Sequence, residues 1–296
     1  RVFKAEEEIY NFNLQVEAGF KAPAFINLQQ YYVEQFLIDK LKELEYPVLR
    51  RGHKVVGISL TKDNRALVQI EHDQDIYNFI SDYVVAADGV RSTIRKALEL
   101  EMQGNYFDEQ FLIVDVKVNR SFPLERKFWF QPKFHDGQSA LLHVQPDNIL
   151  RIDLQLGPNM NPELEQDEER VRARVNKILG SDVDYQIEWI SLYNFSCKRI
   201  QRFRHGPIFF VGDAAHVVSP FGARGGNGGL QDIDNLVWKV SSVIKGKAPR
   251  ALLDTYDEER IPAAAQELRV CELVASEEPA DALAAIVGSL AGKTDC

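Results

Sequence analysis

Between Phe210 and Leu236 the chain reads FVGDAAHVVSPFGARGGNGGLQDIDNL: an apolar run ending on Gly212-Asp213, a proline, five glycines and then a helical pattern. A strand that enters a helix through glycine turns backbone N–H groups toward the strand's carboxyl end. Open α/β sheets place anions and nucleotides there. Asp213 is positioned to accept hydrogen bonds from ligand hydroxyls, such as those of a sugar or ribityl chain. Gly222, Gly225, Gly226, Gly228 and Gly229 remove side chains where a flat ligand would lie against the main chain. Taken alone, the same cluster fits a surface loop that uses glycine for turning.

Other chemistries match these residues less well. PFGARGGNGG has neither P-loop nor dinucleotide spacing, and the segment GSLAGKT (Gly288 to Thr294) is one residue short between its glycines and has no strand before it. His216, just past the strand, is open to two roles, general base or holding the turn, and the second is favoured. The six histidines lack helical ligand spacing and Cys197, Cys271 and Cys296 lie far apart, so no metal site is expected. Ser139 and Ser219 lack the strained strand-to-helix elbow of a serine hydrolase.

The elements that must position these residues follow from periodicity. Asn27 to Leu44 has apolar positions at Leu28, Val33, Phe36, Leu37, Leu41 and Leu44, which predicts a helix capped by Asn27. KVVGISLT, ALVQIEH and YNFIS alternate as strands, and DYVVAADGVRSTIRKALEL reads as strand, Asp88-Gly89 turn and helix from about Arg91. FLIVDVKV, RKFWF, SALLHV and ILRIDLQLG predict an antiparallel sheet. NPELEQDEERVRARVNKILG predicts one helix, acidic at its start and basic toward its end. GPIFFVGD is a buried strand of parallel type, followed by helices over 228–245 and about 250–277 and a short alanine-rich one. The expected class is α/β: a Rossmann-like domain over 1–106 and 196–275, an inserted, mainly antiparallel sheet over 107–195, and a tail over 276–296.

Composition narrows the classes. The 296 residues are 45% hydrophobic, enough for a real core, and carry a formal net charge of −9. That acidic balance excludes a general nucleic-acid binder, and no apolar run is long enough to span a membrane. The first residues carry no signal peptide, and three scattered cysteines match no disulfide framework; a reducing, cytoplasmic setting is expected. Arg1 stands where a pattern is already under way, so an N-terminal segment is expected to be missing.

With these residues in view, GDAAHVVSPFGARGGNGG resembles the second flavin-contacting motif of the FAD-dependent aromatic hydroxylases, the class A flavoprotein monooxygenases typified by para-hydroxybenzoate hydroxylase. Gly212, Asp213, Ala214, Ala215, His216, Pro220, Gly222, Gly225, Asn227, Gly229 and Asp232 all fit the pattern, and YDEERIPAA (Tyr256 to Ala264) resembles the family's next helix. VVAADGVRSTIR is similar to the family's Asp-Gly motif, with Asp88, Gly89, Ser92 and Arg95 in place. Gln30 with Glu34 resembles its glutamine-leading helix. The middle strands look closest to the hydroxyphenylpropionate branch. The family's first βαβ unit, which holds the ADP half of FAD, has no counterpart in these residues.

The resemblance implies FAD as cofactor, NADPH or NADH as co-substrate, and hydroxylation of a phenolic or other aromatic acid with O2 through a flavin C4a-hydroperoxide. It implies cofactor contacts at Gln30, Asp88, Gly89, Gly212, Asp213, Pro220, Gly225, Gly226 and Asn227, with the Pro220 region orienting substrate. Candidates for the substrate wall are Phe128, Phe130, His143 and Gln155, each of which also fits ordinary core or surface. The expected partners are the small aromatic substrate and O2, with a homodimer possible on this reading and neither nucleic acid nor membrane. Two alternatives stand beside it: a flavin-free scaffold or interaction fragment, and a flavoprotein of different chemistry such as a halogenase, whose lysine- and tryptophan-rich signature is not found here.

Overall fold

The computed structural model describes residues 1–13, 19, 21–23, 26–45, 49–135, 138–157, 160–218 and 224–274. In chain order its main elements are β1 (Val2–Lys4), β2 (Glu7–Tyr10), α1 (Gln30–Glu43), β3 (Lys54–Leu60), β4 (Ala66–His72), β5 (Asp75–Ser81), β6 (Val84–Ala86) and α2 (Thr93–Ala97). β7 (Met102–Val118), β8 (Lys127–Phe130), β9 (Ala140–Val144), β10 (Ile149–Leu156), α3 (Pro162–Glu165), α4 (Glu168–Leu179) and β11 (Tyr185–Ile200) follow. β12 (Arg204–His205), β13 (Ile208–Phe210), β14 (His216–Val217), α5 (Arg224–Ile244) and α6 (Thr255–Val274) complete the mixed α/β fold.

Contacts divide the chain into two units, one of residues 1–48 and 108–195, the other of 49–107 and 196–296. Residues 1–48 therefore group with the antiparallel sheet, not with the nucleotide-type unit as the sequence suggests. Their hydrogen bonds explain why: β1 runs parallel to β8, and Asn27 and Gln29 donate to the carbonyls of Val144 and Pro146. The expected tail, 276–296, lies outside the described residues.

In the first unit β7, β10, β9 and β8 pair antiparallel in that spatial order. The strict alternation of β10 buries Leu150, Ile152, Leu154 and Leu156 on one face, in one core with Val171 and Val175 of α4. Two helix expectations change here. The single acidic helix is broken at Gln166, because the Asp167 carboxylate accepts from the Arg170 N–H and starts α4 anew. α1 begins at Gln30 and not at an Asn27 cap, since the Asn27 amide is spent on Val144 and its oxygen on Arg126. No side chain of α1 is buried.

In the second unit β3, β4 and β5 form an antiparallel meander. A second small sheet has the order β12-β13-β6, with β13 parallel to β6. Ile208, Phe209 and Phe210 are all fully buried. That is the pattern of a strand covered on both faces, and it explains why the run lacks alternation. Cys197, near the end of β11, is disulfide-bonded. This corrects the expectation of no disulfide: spacing along the chain does not limit which thiols the fold brings together. Among the described residues no helix is long and apolar enough to cross a membrane.

Candidate functional site

β13 delivers the chain to Gly212 with φ of +56°, a left-handed conformation that glycine alone adopts at little cost. The turn places Asp213 at the strand's carboxyl end, half-buried. No hydrogen bond reaches its carboxylate from the described residues; burial pushes its pKa up, with the charge of His216 opposing.

The glycines divide into two groups. They are not a loop: Gly225, Gly226, Gly228 and Gly229 all lie in the first turns of α5. A Cβ on Gly229 would come 3.2 Å from the Gly212 Cα, and one on Gly228 would sit 2.9 Å from Glu267 Oε2 and 3.2 Å from His216 Cε1. These two glycines let the helix pack against its own unit. A Cβ on Gly226 meets nothing within 4 Å, and one on Gly225 touches only Val218. The start of α5 thus presents bare backbone at a helix N-terminus, whose dipole favours negative charge.

Asp232 holds this turn. Its Oδ2 accepts from the Gly212 N–H at 2.8 Å and from His216 Nε2 at 2.7 Å, and its Oδ1 accepts from Arg260 Nε at 2.7 Å. Burial raises the Asp232 pKa, but His216, Gly212 and Arg260 outweigh it and hold the carboxyl below its ordinary value. Arg260 also donates to the Gly228 carbonyl, and Tyr256 donates to the Phe210 carbonyl at 2.8 Å, so α6 is pinned to both β13 and α5. His216 is buried and bonded to Asp232; the geometry supports the turn-holding role over the general base.

The Asp-Gly motif arrives at the same sheet edge. β6 and β13 run in register, Ala86 beside Phe210, and the Val211 N–H donates to the Ala86 carbonyl. Asp88 accepts from the Ile94 N–H and Ser92 from the Arg95 N–H, capping α2. Arg95 then donates to the Ala214 carbonyl at 3.0 Å and to the Val90 carbonyl, tying the two turns together. Gly89 has φ of +75° with open space where a side chain would be.

The structure thus brings Asp88, Gly89, Gly212, Asp213, Gly225 and Gly226 into one unit, with Asn227 on the same helix. Gln30 lies in the other unit, exposed, donating to Glu34 on its own helix at 2.7 Å. Pro220, Gly222 and Ser219 lie outside the described residues. Glu267 was invisible in the sequence, one of several acids on α6, and burial raises its pKa against the charges of His216 and Arg260.

In the first unit the four substrate-wall candidates share a face. Register pairs His143 with Arg151, Leu141 with both Asp153 and Phe128, and Phe111 with Gln155. Directly paired residues point to one side, so Phe128, Phe130, His143 and Gln155 all lie opposite the α4 core. Phe128 and Phe130 pack edge to face at 4.4 Å. The Gln155 side chain is turned to accept from the Ser139 N–H. Among the described residues no cluster of His, Cys, Asp or Glu is placed to hold a metal ion.

Comparison with known proteins decides the family, because residues 3–270 match the model described as FAD binding domain. The chain belongs to the FAD binding domain family. It is 34% identical over 257 residues to a flavin-dependent monooxygenase of Mycobacteroides abscessus, covering 84% of this chain and 52% of that protein. It is 31% identical over 232 residues to a 3-(3-hydroxy-phenyl)propionate/3-hydroxycinnamic acid hydroxylase of Burkholderia cenocepacia, covering 78% of this chain and 42% of the relative. The fold matches the flavin-dependent monooxygenase PieE, solved with FAD and substrate, at a TM-score of 0.73 and 23% identity, over 90% of this chain and 52% of the other. The chain spans about half the length of the curated relatives it matches. These matches do not favour a flavin-free scaffold.

The residues present fit FAD on structural grounds of their own. A half-buried carboxylate without a partner among the described residues suits ligand hydroxyls, and bare backbone at a helix N-terminus suits a flat, electron-rich edge.

Proposed function

We propose that this protein is a FAD-dependent monooxygenase that hydroxylates a phenolic or other aromatic acid, with NADPH or NADH and O2 as co-substrates. The observation that carries the reading is the Asp213 carboxylate, held at a strand end without a hydrogen-bond partner among the described residues, beside a family match over 90% of the chain. The chemistry that bound FAD supplies is reduction by the nicotinamide and transfer of one oxygen atom to the ring. This chain's own residues bind and orient. Asp213, Gly225, Gly226 and Asn227, with Asp88 and Gly89, would hold the flavin side, and the N–H groups at the start of α5 supply positive potential. The face carrying Phe128, Phe130, His143 and Gln155 would receive the aromatic substrate in apolar surroundings. Pro220 would orient it, and Gln30 would reach the cofactor.

We place the protein in the cytoplasm, where NAD(P)H is supplied, as a homodimer; a Cys197 disulfide that persists in cells would overturn the placement. Cell fractionation, a thiol count after rapid alkylation, and light scattering check these assignments. The central test is substrate-dependent NAD(P)H oxidation, with product detection, across a panel of phenolic acids on protein carrying FAD. Retained flavin with no phenol-dependent hydroxylation anywhere in the panel would overturn the reading.

A further inference from the structure

The sheet face opposite α4 carries a polar set inside an apolar frame. Arg151 and Asp115 pair through two bonds of 2.8 Å. Arg126 reaches Asn27 at 3.2 Å, and burial lowers its pKa with Asp153 opposing. What remains is His143, whose Nε2 lies 3.2 Å from Asp153 Oδ2. Their side chains are 14% and 16% exposed. Asp153 Oδ1 is buried with no hydrogen-bond partner.

A carboxylate can only accept, so the hydrogen of this bond is on His143 Nε2, and in the neutral ring the lone pair is on Nδ1. Nδ1 makes no hydrogen bond with the described residues. A nitrogen base oriented by a carboxylate, on the sheet face that also carries Leu141, Phe128 and Phe130, is equipped to take a proton from an aromatic ligand. A solvated histidine would not be held by a nearly buried acid, and unlike the fully buried His216 this side chain keeps 14% of its surface exposed.

We propose that His143 takes the phenolic proton of the substrate, with Asp153 as its positioning residue. The inference rests on the hydroxylase reading above. In the step, the phenol O–H bond breaks, the proton passes to Nδ1 and the electron pair stays on oxygen. The resulting phenolate enriches the ring carbons that are to be oxygenated, and the imidazolium is stabilised by Asp153. The other charges facing the pair are Arg126 from the segment before β8, Arg151 on β10 and Asp115 on β7. Arg151 is paired with Asp115, and both Arg151 and Arg126 lie close enough for the Asp153 charge to act on them.

The test is ¹⁹F NMR titration of 4-fluorophenol bound to the flavin-loaded protein, which reads the ionisation of the bound phenol directly. The expected result is a bound phenol that ionises about one pH unit or more below the free phenol. His143→Gln should return the bound phenol toward its free value, an about tenfold loss of phenolate at neutral pH. The affinity for the neutral phenol should hold within about threefold. Asp153→Asn, which is nearly isosteric, should give an intermediate shift and carries the test if His143→Gln fails to fold. A bound-phenol pKa unmoved by either variant overturns the assignment and leaves the hydroxylase reading standing. Failure of the wild-type protein to bind 4-fluorophenol while it hydroxylates other aromatic acids overturns the base alone; failure to bind or oxidise any phenol overturns the hydroxylase reading as well.

Discussion

Two histidine–aspartate pairs in this chain have been put to opposite uses. Asp232 takes three donors, from Gly212, His216 and Arg260, and is itself fully buried. Asp153 takes one donor, from His143, and leaves its second oxygen without one. A buried carboxylate whose bonds are met inside the protein stabilises the fold. One left partly unmet holds interaction energy in reserve, at a cost to stability of about 1–3 kcal/mol. The partner count, and not the residue types, separates a lock from a site.

The largest expected effect breaks the lock. Asp232→Ala strands the Arg260 cation and two further donors in a dry interior, and should destabilise the protein by about 3–5 kcal/mol in urea denaturation. The pH dependence has a defined sign. The folded pKa of Asp232 lies below its ordinary value, so its contribution is present above that ordinary value and fades as pH falls through the folded one. The variant should lack that acid-side loss. Asp153→Asn should change stability by under about 1 kcal/mol. Equal costs for the two aspartates would erase the contrast.

The glycines sharpen it next. Gly228→Val drives a branched side chain into Glu267 and His216, and should cost stability by about 1–3 kcal/mol through overpacking. Gly226→Val points into open space, so stability should hold while flavin retention falls. Flavin absorbance and thermal melts on the same samples separate the two outcomes. A Gly226 variant that keeps its flavin would mean that the cofactor does not lie against this turn of α5.

Asp213 stands between the two kinds. Asp213→Ala should weaken FAD binding by about 1.5–3 kcal/mol, the value of a charge-assisted hydrogen bond to a buried hydroxyl. The flavin-free form should gain stability at neutral pH, because the variant removes a carboxylate whose pKa burial has raised. Affinity lost and stability gained together is the signature of a binding residue.

Much of this was legible in the sequence, for reasons particular to each element. The buried strand IFF and the alternation of ILRIDLQL declare themselves, because burial on two faces or one leaves different periodicities. Asp213 and the glycines stand out by their place between a strand and a helix, and Asp88 by its resemblance to the family's Asp-Gly motif. Spacing did not reveal that Gly228 and Gly229 serve packing while Gly225 and Gly226 face open space, because that depends on residues brought from α6 and the Gly212 turn. The shared face of Phe128, His143 and Gln155 depended on strand register, which no single strand encodes. α1 shows the reverse limit: its apolar positions read as a core-facing stripe, yet Phe36 and Leu37 are exposed.

The smallest effect concerns the one flaw in the lock. His216 Nδ1 and Glu267 Oε2 are both buried without hydrogen-bond partners, 3.9 Å apart. Burial raises the Glu267 pKa above its ordinary value, so below that value the residue is protonated in both folded and unfolded chains and has no differential effect. As pH rises through the raised folded pKa, the folded state must ionise a poorly solvated acid that the unfolded state ionises freely, and stability is lost. Glu267→Gln removes that loss, so its melting temperature should exceed that of the wild type at neutral pH and converge with it in acid. A melting temperature below the wild type's at neutral pH would show that the Glu267 charge holds His216, and the acid would then belong to the lock and not to its cost.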